Sequence, residues 1–385
     1  MDFITRKIAY IWLRLVEFYV NQSIKIYANK HQLVSRSQDI KSIGAYWYYP
    51  DDLTGSNLRL GGWKKYFEND EIEYRNLHIN QFSEYIQNVE NGSWTKKYLF
   101  FAKCLRRRLP QMKQAHNFDT IWIDRSMIPF YPRKNAFLEK QLKRVVSKLV
   151  VDTTDGGDYR GNPKLMEDVL STADEITVGY KHLKAFYEDR FNVTQVFWTI
   201  PTEEYRIKAS YEFNGKPIIG WMGSPGNFQQ IRKLIPALVE IHKVIPFTFR
   251  YICRENFDSE FEDMEVDHHF FGDDYYELIG SFDIGISPFL EKNLSTKGKI
   301  AMKHQEFLLM GTPQVCSDVA ISEFVRHGEH VIISSNIEEW SKSLIKLLND
   351  EELRKSLSIR SKELFMKYYC YEGQYESLKN VLTVK

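Results

Sequence analysis

Cysteine is scarce in this chain. Its four cysteines (Cys104, Cys253, Cys316 and Cys370) lie far apart, with no CxxC pair. That spacing argues against a zinc ribbon or a disulfide framework and fits a reducing compartment. Long apolar runs are missing too. No stretch reaches the roughly 18 uncharged apolar residues of a membrane-spanning helix. The N-terminus comes closest, but Arg6, Lys7, Arg14 and Glu17 interrupt it. It also lacks the unbroken apolar run and small-residue cleavage site of a signal peptide, so a cytoplasmic location is expected. Neither a GxGxxG nor a Walker motif occurs, which disfavours dinucleotide enzymes and P-loop ATPases. The cluster Asp152, Asp155 and Asp158 does not have EF-hand spacing. His268-His269 falls on an expected strand, where adjacent side chains point to opposite faces. No metal site is expected.

What is present suits two domains: 385 residues, with 43% apolar and 27% charged residues, exceed one ordinary core and leave little room for broad disorder. The net charge of +1 hides a split. Residues 1–150 carry 25 Lys/Arg against 14 Asp/Glu, and the remaining 235 carry 27 against 37. A basic first half points to an anionic partner, nucleic acid or a membrane surface.

Residues 3–38 read as helical, with Ile4, Ile8, Ile11, Trp12, Leu15, Tyr19 and Ile26 at helical spacing. Strands are expected at Ile43–Tyr49, Asp119–Ile123, Lys148–Val151, Glu175–Val178 and Val193–Thr199, before a polar linker from Pro201 to Asn214. The second half alternates more clearly. Strands at Pro217–Met222, Phe247–Cys253, His269–Phe271, Asp283–Pro288, Gln314–Ser317 and His330–Ser334 have helical patterns between most of them. That alternation implies parallel sheets covered on both faces, with ligands at the carboxyl ends of the strands. The expected division is a helical extension 1–38, a first α/β domain 39–201 and a second 202–366. The C-terminal helix 367–385 is a candidate to pack back on the first.

Two signals carry chemistry. In Ile219-Gly220-Trp221-Met222-Gly223-Ser224-Pro225-Gly226 a buried strand enters a Gly-rich turn and then a helix, leaving backbone N–H groups for a phosphate; a plain tight turn reads the same way. Further on stand Asp283-Ile-Gly-Ile-Ser-Pro288, Lys297-Gly298-Lys299, Lys303-His304-Gln305-Glu306 and Gly311-Thr312-Pro313. A helix starting near Lys299 sets Lys299, Lys303 and Glu306 on one face. Two cations near a helix N-terminus suit a diphosphate, and a carboxylate one turn deeper can accept both ribose hydroxyls. The alternative is a solvated face with a Lys–Glu pair.

The ordered series from Ile218 to Trp340 resembles the C-terminal domain of the retaining GT-B glycosyltransferases of the group 1 family. The first half is similar more weakly, through Gly55-Ser56-Asn57-Leu58-Arg59, Asp119–Pro129, Val151–Asp155 and Val178…Thr202. The resemblance spans about residues 40–365. It implies a GT-B fold, two Rossmann-like domains facing a cleft, here with an extra N-terminal helical segment. It also implies transfer of a sugar from a nucleotide-diphosphate donor to a glycan or polyprenyl-linked acceptor with retention, in bacterial surface polysaccharide synthesis, and no cofactor or metal. Glu306 would take the ribose, while Gly223, Ser224, Lys299 and Lys303 would hold the diphosphate. Gly55, Asn57 and Arg59 would lie on the acceptor side, and Arg125 and Asp155 are first-domain residues to test for catalysis. Many members carry a carboxylate where this chain has Gly298, which leaves the grip on the sugar open. A sugar-nucleotide epimerase and a non-catalytic nucleotide-sugar-binding protein are the competing readings.

Lys96–Lys113 contains seven Lys/Arg and no acid, interleaved with Tyr98, Leu99, Phe100, Phe101 and Leu105. With residues 1–38 it reads as a surface for an anionic membrane rather than nucleic acid, placing the protein peripherally on the inner face of the cell membrane.

Overall fold

The computed structural model describes residues 2–34, 39–47, 54–128, 131, 133–153, 162–291 and 302–383. The chain divides into two units, residues 1–199 with 374–385, and residues 200–373. Each is built on a six-stranded parallel sheet.

In the first unit β1 (Ser42–Tyr46), β2 (Glu73–Leu77), β3 (Thr120–Asp124), β4 (Lys148–Thr153), β5 (Glu175–Val178) and β6 (Val193–Gln195) lie in the order β2-β1-β3-β4-β5-β6. The central strand β3 (TIWID) is buried at every position, as expected of a parallel strand covered on both faces. β2 was not among the expected strands. It is an edge strand of sequence EYRNL, in which Tyr74 and Leu77 are buried while Glu73 and Arg75 face solvent. Charge on an edge strand blocks unwanted pairing and hides the apolar signal. β6 is also shorter than expected. The helix Tyr371–Leu382 returns to this unit, where Tyr375 donates to Asp70 (2.8 Å) and the Leu382 carbonyl accepts from Thr120 (2.8 Å).

Helix α1 (Asp2–Lys30) packs through Ala9, Leu13, Val16, Val20, Ile24 and Tyr27, all buried. The 3–4 spacing of these residues is one face of a helix, and each large one contributes roughly 1.5–3 kcal/mol of burial. Its neighbour is the helix Trp94–Met112, whose Phe100, Phe101, Cys104, Leu105, Leu109 and Met112 are buried. The apolar series read from the sequence, Ile4 to Ile26, is therefore the opposite face of α1, and it faces solvent.

The second unit contains β7 (Ile218–Met222), β8 (Thr248–Ile252), β9 (Val266–His269), β10 (Ile284–Ser287), β11 (Gln314–Cys316) and β12 (Ile332–Ile333). Their order, β12-β11-β10-β7-β8-β9, is the doubly wound order of nucleotide-binding sheets, which reverses between β7 and β10. β9 starts three residues before its expected position. Ile219, Trp221, Phe249, Tyr251, Ile284 and Ile286 of the sheet pack against Phe228, Leu238, Trp340 and Leu344 of the covering helices.

Candidate active site

The strand order reverses between β7 and β10, and in such a sheet ligands usually sit outside the carboxyl ends of the strands at that point. The helix Met302–Met310 lies close to the sheet because β10 carries Gly285. A Cβ there would stand 2.7 Å from the ring of Phe307. This close approach lowers Lys303 and Glu306 into the protein, where they are 8% and 1% exposed. A solvated Lys–Glu face is thereby excluded.

Glu306 Oε1 accepts hydrogen bonds from Tyr205 (2.9 Å) and Tyr275 (2.9 Å). Its second oxygen, Oε2, is buried and has no hydrogen-bond partner among the described residues. Burial raises the Glu306 carboxyl, and the two tyrosines and Lys303 oppose that rise. An unpaired buried carboxylate oxygen costs on the order of 1–3 kcal/mol or more, so Oε2 is an acceptor left open among the described residues. Lys303 Nζ sits 4.7 Å from the centroid of Trp221 and 5.7 Å from that of Phe289. Burial drives its ammonium down to about 7, against the opposing pull of Glu306 and Cys253. Among the described residues it has aromatic faces, but no carboxylate within ion-pair distance.

Gly223 follows β7 directly. A Cβ on it would meet Trp221 at 2.6 Å and Lys303 Nζ at 3.3 Å, so glycine provides room beside the lysine. It does not supply a free donor, because its N–H already bonds the Ile252 carbonyl (3.1 Å). Ser224 is exposed and caps the helix Pro225–Arg232 by backbone conformation alone, with no side-chain capping bond. Lys299 and Asp155 lie outside the described residues, as does Gly298.

The first unit changes the reading of the acceptor side. Arg59 ends the helix Thr54–Arg59, which also holds Gly55 and Asn57. It is 2% exposed and grips Asp152 through Nε (3.0 Å) and Nη2 (2.8 Å), while Nη1 donates to the carbonyls of Val196 and Phe197. Arg59 thus fastens a strand end inside its unit, with all three guanidinium nitrogens engaged there. Arg125 stands just past β3 with φ of 58° and is buried beside Asp124. A left-handed backbone at a bulky residue stores about 1–3 kcal/mol of strain, and it keeps Arg125 at the carboxyl end of the central strand.

Tyr205 and Tyr275 were not among the expected site residues. Tyr205 lies in the polar stretch expected as a plain linker, and Tyr275 sits in an acidic run, so neither carries a local signal. Asn80, three residues past the unexpected strand β2, was not expected either. It is 4% exposed, and neither Nδ2 nor Oδ1 has a hydrogen-bond partner among the described residues. It lines a recess of about 480 Å³ with His78, Gln81, Arg107 and Gln111.

Comparison with known proteins adds a profile match over part of the chain and a fold. Residues 216–350 match the family profile described as glycosyl transferases group 1. Sucrose-phosphate synthase of Thermosynechococcus elongatus superposes with a TM-score of 0.64 at 11% identity, over 89% of this chain and 98% of that one. HepE of Anabaena, in complex with UDP and glucose, gives 0.62 at 10% identity over 90% and 100%. TarM of S. aureus gives 0.57 at 12% identity over 73% of this chain, which spans only 58% of TarM. A search of curated protein sequences finds no match. At these identities the structural likeness is one of fold. Residues 216–350 are thus similar to the glycosyl transferases group 1 profile, and the chain as a whole has a GT-B fold of two Rossmann-like units.

Proposed function

We propose that the protein is a metal-independent, retaining glycosyltransferase that uses a nucleotide-diphosphate sugar. The observation that carries this reading is that one buried helix carries both the unpartnered Glu306 Oε2 and Lys303, the latter beside Gly223 at the end of β7. Glu306 receives the ribose hydroxyls. Lys303, joined by Lys299 of the same motif, faces the diphosphate, with Gly223 leaving room for it and Ser224 beside it. Charge builds on the leaving phosphate as the bond to the sugar breaks, so a fixed cation already aimed there lowers the barrier. In free protein the buried ammonium is held to about 7; an arriving dianion restores its charge and shields it from water. Arg125, held in its strained conformation, is the first-unit residue to test for a part in catalysis.

The acceptor on this reading is a glycan or a polyprenyl-linked sugar of bacterial surface polysaccharide synthesis. Asn80 supports a carbohydrate, because one carboxamide offers both the donor and the acceptor that a vicinal diol needs. Among proteins of the same fold, HepE crystallises with UDP and glucose, and a TarM mutant with UDP and α-GlcNAc-glycerol. The test is product analysis by proton NMR after incubation with donor, acceptor and excess EDTA. An α-linked donor should give an α-linked product at an undiminished rate. A β-linked product, or a strict need for divalent metal, overturns the proposal.

A further inference from the structure

Helix α1 has two apolar faces, and its own unit covers only one. Opposite the buried stripe, Phe3, Ile4, Ile8, Ile11, Trp12, Leu15, Phe18, Tyr19 and Ile26 are exposed, Ile4 and Ile8 by more than 60%. They form one continuous band along a helix about 43 Å long. Isolated exposed apolar residues are ordinary, but a contiguous band of this extent marks a contact surface.

Charge identifies what covers it. Lys7 and Lys25 are exposed and, by helical spacing, run along one edge of the band, where Arg14 also lies, paired with Glu17. Beside Arg14 lies a recess of about 200 Å³ whose lining includes Glu17, Asn21, Lys134 and Asn135. At the other end of α1 the surface continues onto the helix Trp94–Met112. Arg6 and Lys97 stand over the half-exposed Trp94 at 5.7 and 5.1 Å, and Tyr10 meets Tyr98 edge-on at 5.3 Å. Apolar residues rimmed by cations and interfacial aromatics are the composition of a helix lying in a bilayer surface. A second copy of this chain would bring two basic rims together. No helix among the described residues is long and apolar enough to cross a membrane.

We infer that α1, with the start of the helix Trp94–Met112, lies flat on an anionic lipid surface. The basic run 96–113 enters this only in part. Arg108 is fully buried, donating to the carbonyls of Met127, Leu77 and Trp47, and Lys103 and Arg107 both pair with Glu84. These three residues are structural, as is Arg14 with Glu17, and Lys96, Lys97, Lys7 and Lys25 provide the attraction.

Flotation of the full chain with vesicles of phosphatidylglycerol and phosphatidylcholine, and with phosphatidylcholine alone, tests this independently of any glycosyl transfer. Binding should require the anionic lipid and weaken as salt is raised to about 1 M, where screening acts within about 3 Å. Lys7→Ala with Lys25→Ala should weaken it about 25-fold, at roughly fivefold per cation. Ile8→Ser, Ile11→Ser and Leu15→Ser together should abolish it while circular dichroism and Tm stay unchanged, since these side chains are exposed. Equal binding to neutral vesicles overturns the inference. So does a dimer in analytical ultracentrifugation that the triple variant converts to monomer without any vesicle binding, and so does retention of binding by the triple variant.

Discussion

If Lys303 faces the diphosphate as proposed, donor binding should depend on pH in a way that can be worked out beforehand. A fall of its ammonium from 10.5 to about 7 amounts to roughly 5 kcal/mol against the charged form. At pH 7 about half of the free protein then carries the charge, and at pH 8.5 about 3% does. A bound diphosphate favours the ammonium, so binding above pH 7 must take up a proton. Affinity for UDP should fall roughly 15-fold between pH 7 and 8.5. Isothermal titration in buffers of different ionisation enthalpy reads both the affinity and the proton. Lys303→Met, which keeps the volume, should bind UDP weakly and without this pH slope. The same group sets a sign for stability. The unfolded chain holds the proton up to about 10.5 and the folded chain only to about 7, so stability of the free protein should rise with pH between those values. A flat UDP affinity from pH 7 to 8.5, or an equal slope in the Met variant, would show that Lys303 does not titrate against the diphosphate.

Tyr205→Phe and Tyr275→Phe each remove one donor from Glu306 Oε1. Such a bond to a charged acceptor is worth about 1.5–3 kcal/mol, so donor affinity should fall at least tenfold. Because Glu306 must be ionised and its carboxyl already sits high, the acid limb of the pH–rate profile should move to higher pH, which a purely structural loss would not do. Arg59→Met leaves Asp152 charged and buried and should cost about 3–5 kcal/mol in urea unfolding; a loss below about 1 kcal/mol would mean that the pair does not fasten the strand. Asn80→Ala should raise KM for the acceptor several-fold and leave donor affinity unchanged in steady-state kinetics.

Where the apolar signal was continuous, as in β3, β4, β7 and β10, the strands stand close to where the sequence puts them. β2 escaped because an edge strand alternates charge with its two buried residues. Lys303 and Glu306 were legible as a helix face, but their burial was not, since it depends on Gly285 admitting the Phe307 ring. Partners distant in sequence were not legible at all. Nothing local ties Tyr205 and Tyr275 to Glu306, or Arg59 to Asp152. The apolar periodicity of α1 was real, yet a helix apolar on both sides gives no hint which side its own domain covers. The basic run 96–113 misled because a count of charges cannot tell a surface arginine from Arg108, whose donors are satisfied by carbonyls in the core.

The donor site is tested most sharply by a thermal-shift comparison of UDP-, GDP-, dTDP- and CMP-sugars on the wild-type protein and on Glu306→Gln. At about 100 times Kd a ligand stabilises the folded state by roughly 2.7 kcal/mol. At least one diphosphate sugar should raise the wild-type Tm by several degrees, CMP-sugars should not, and the Gln variant should lose most of the shift at the same concentration. An absence of any shift with all the diphosphate sugars, or an equal shift in both proteins, would contradict a donor site built on Glu306 and Lys303.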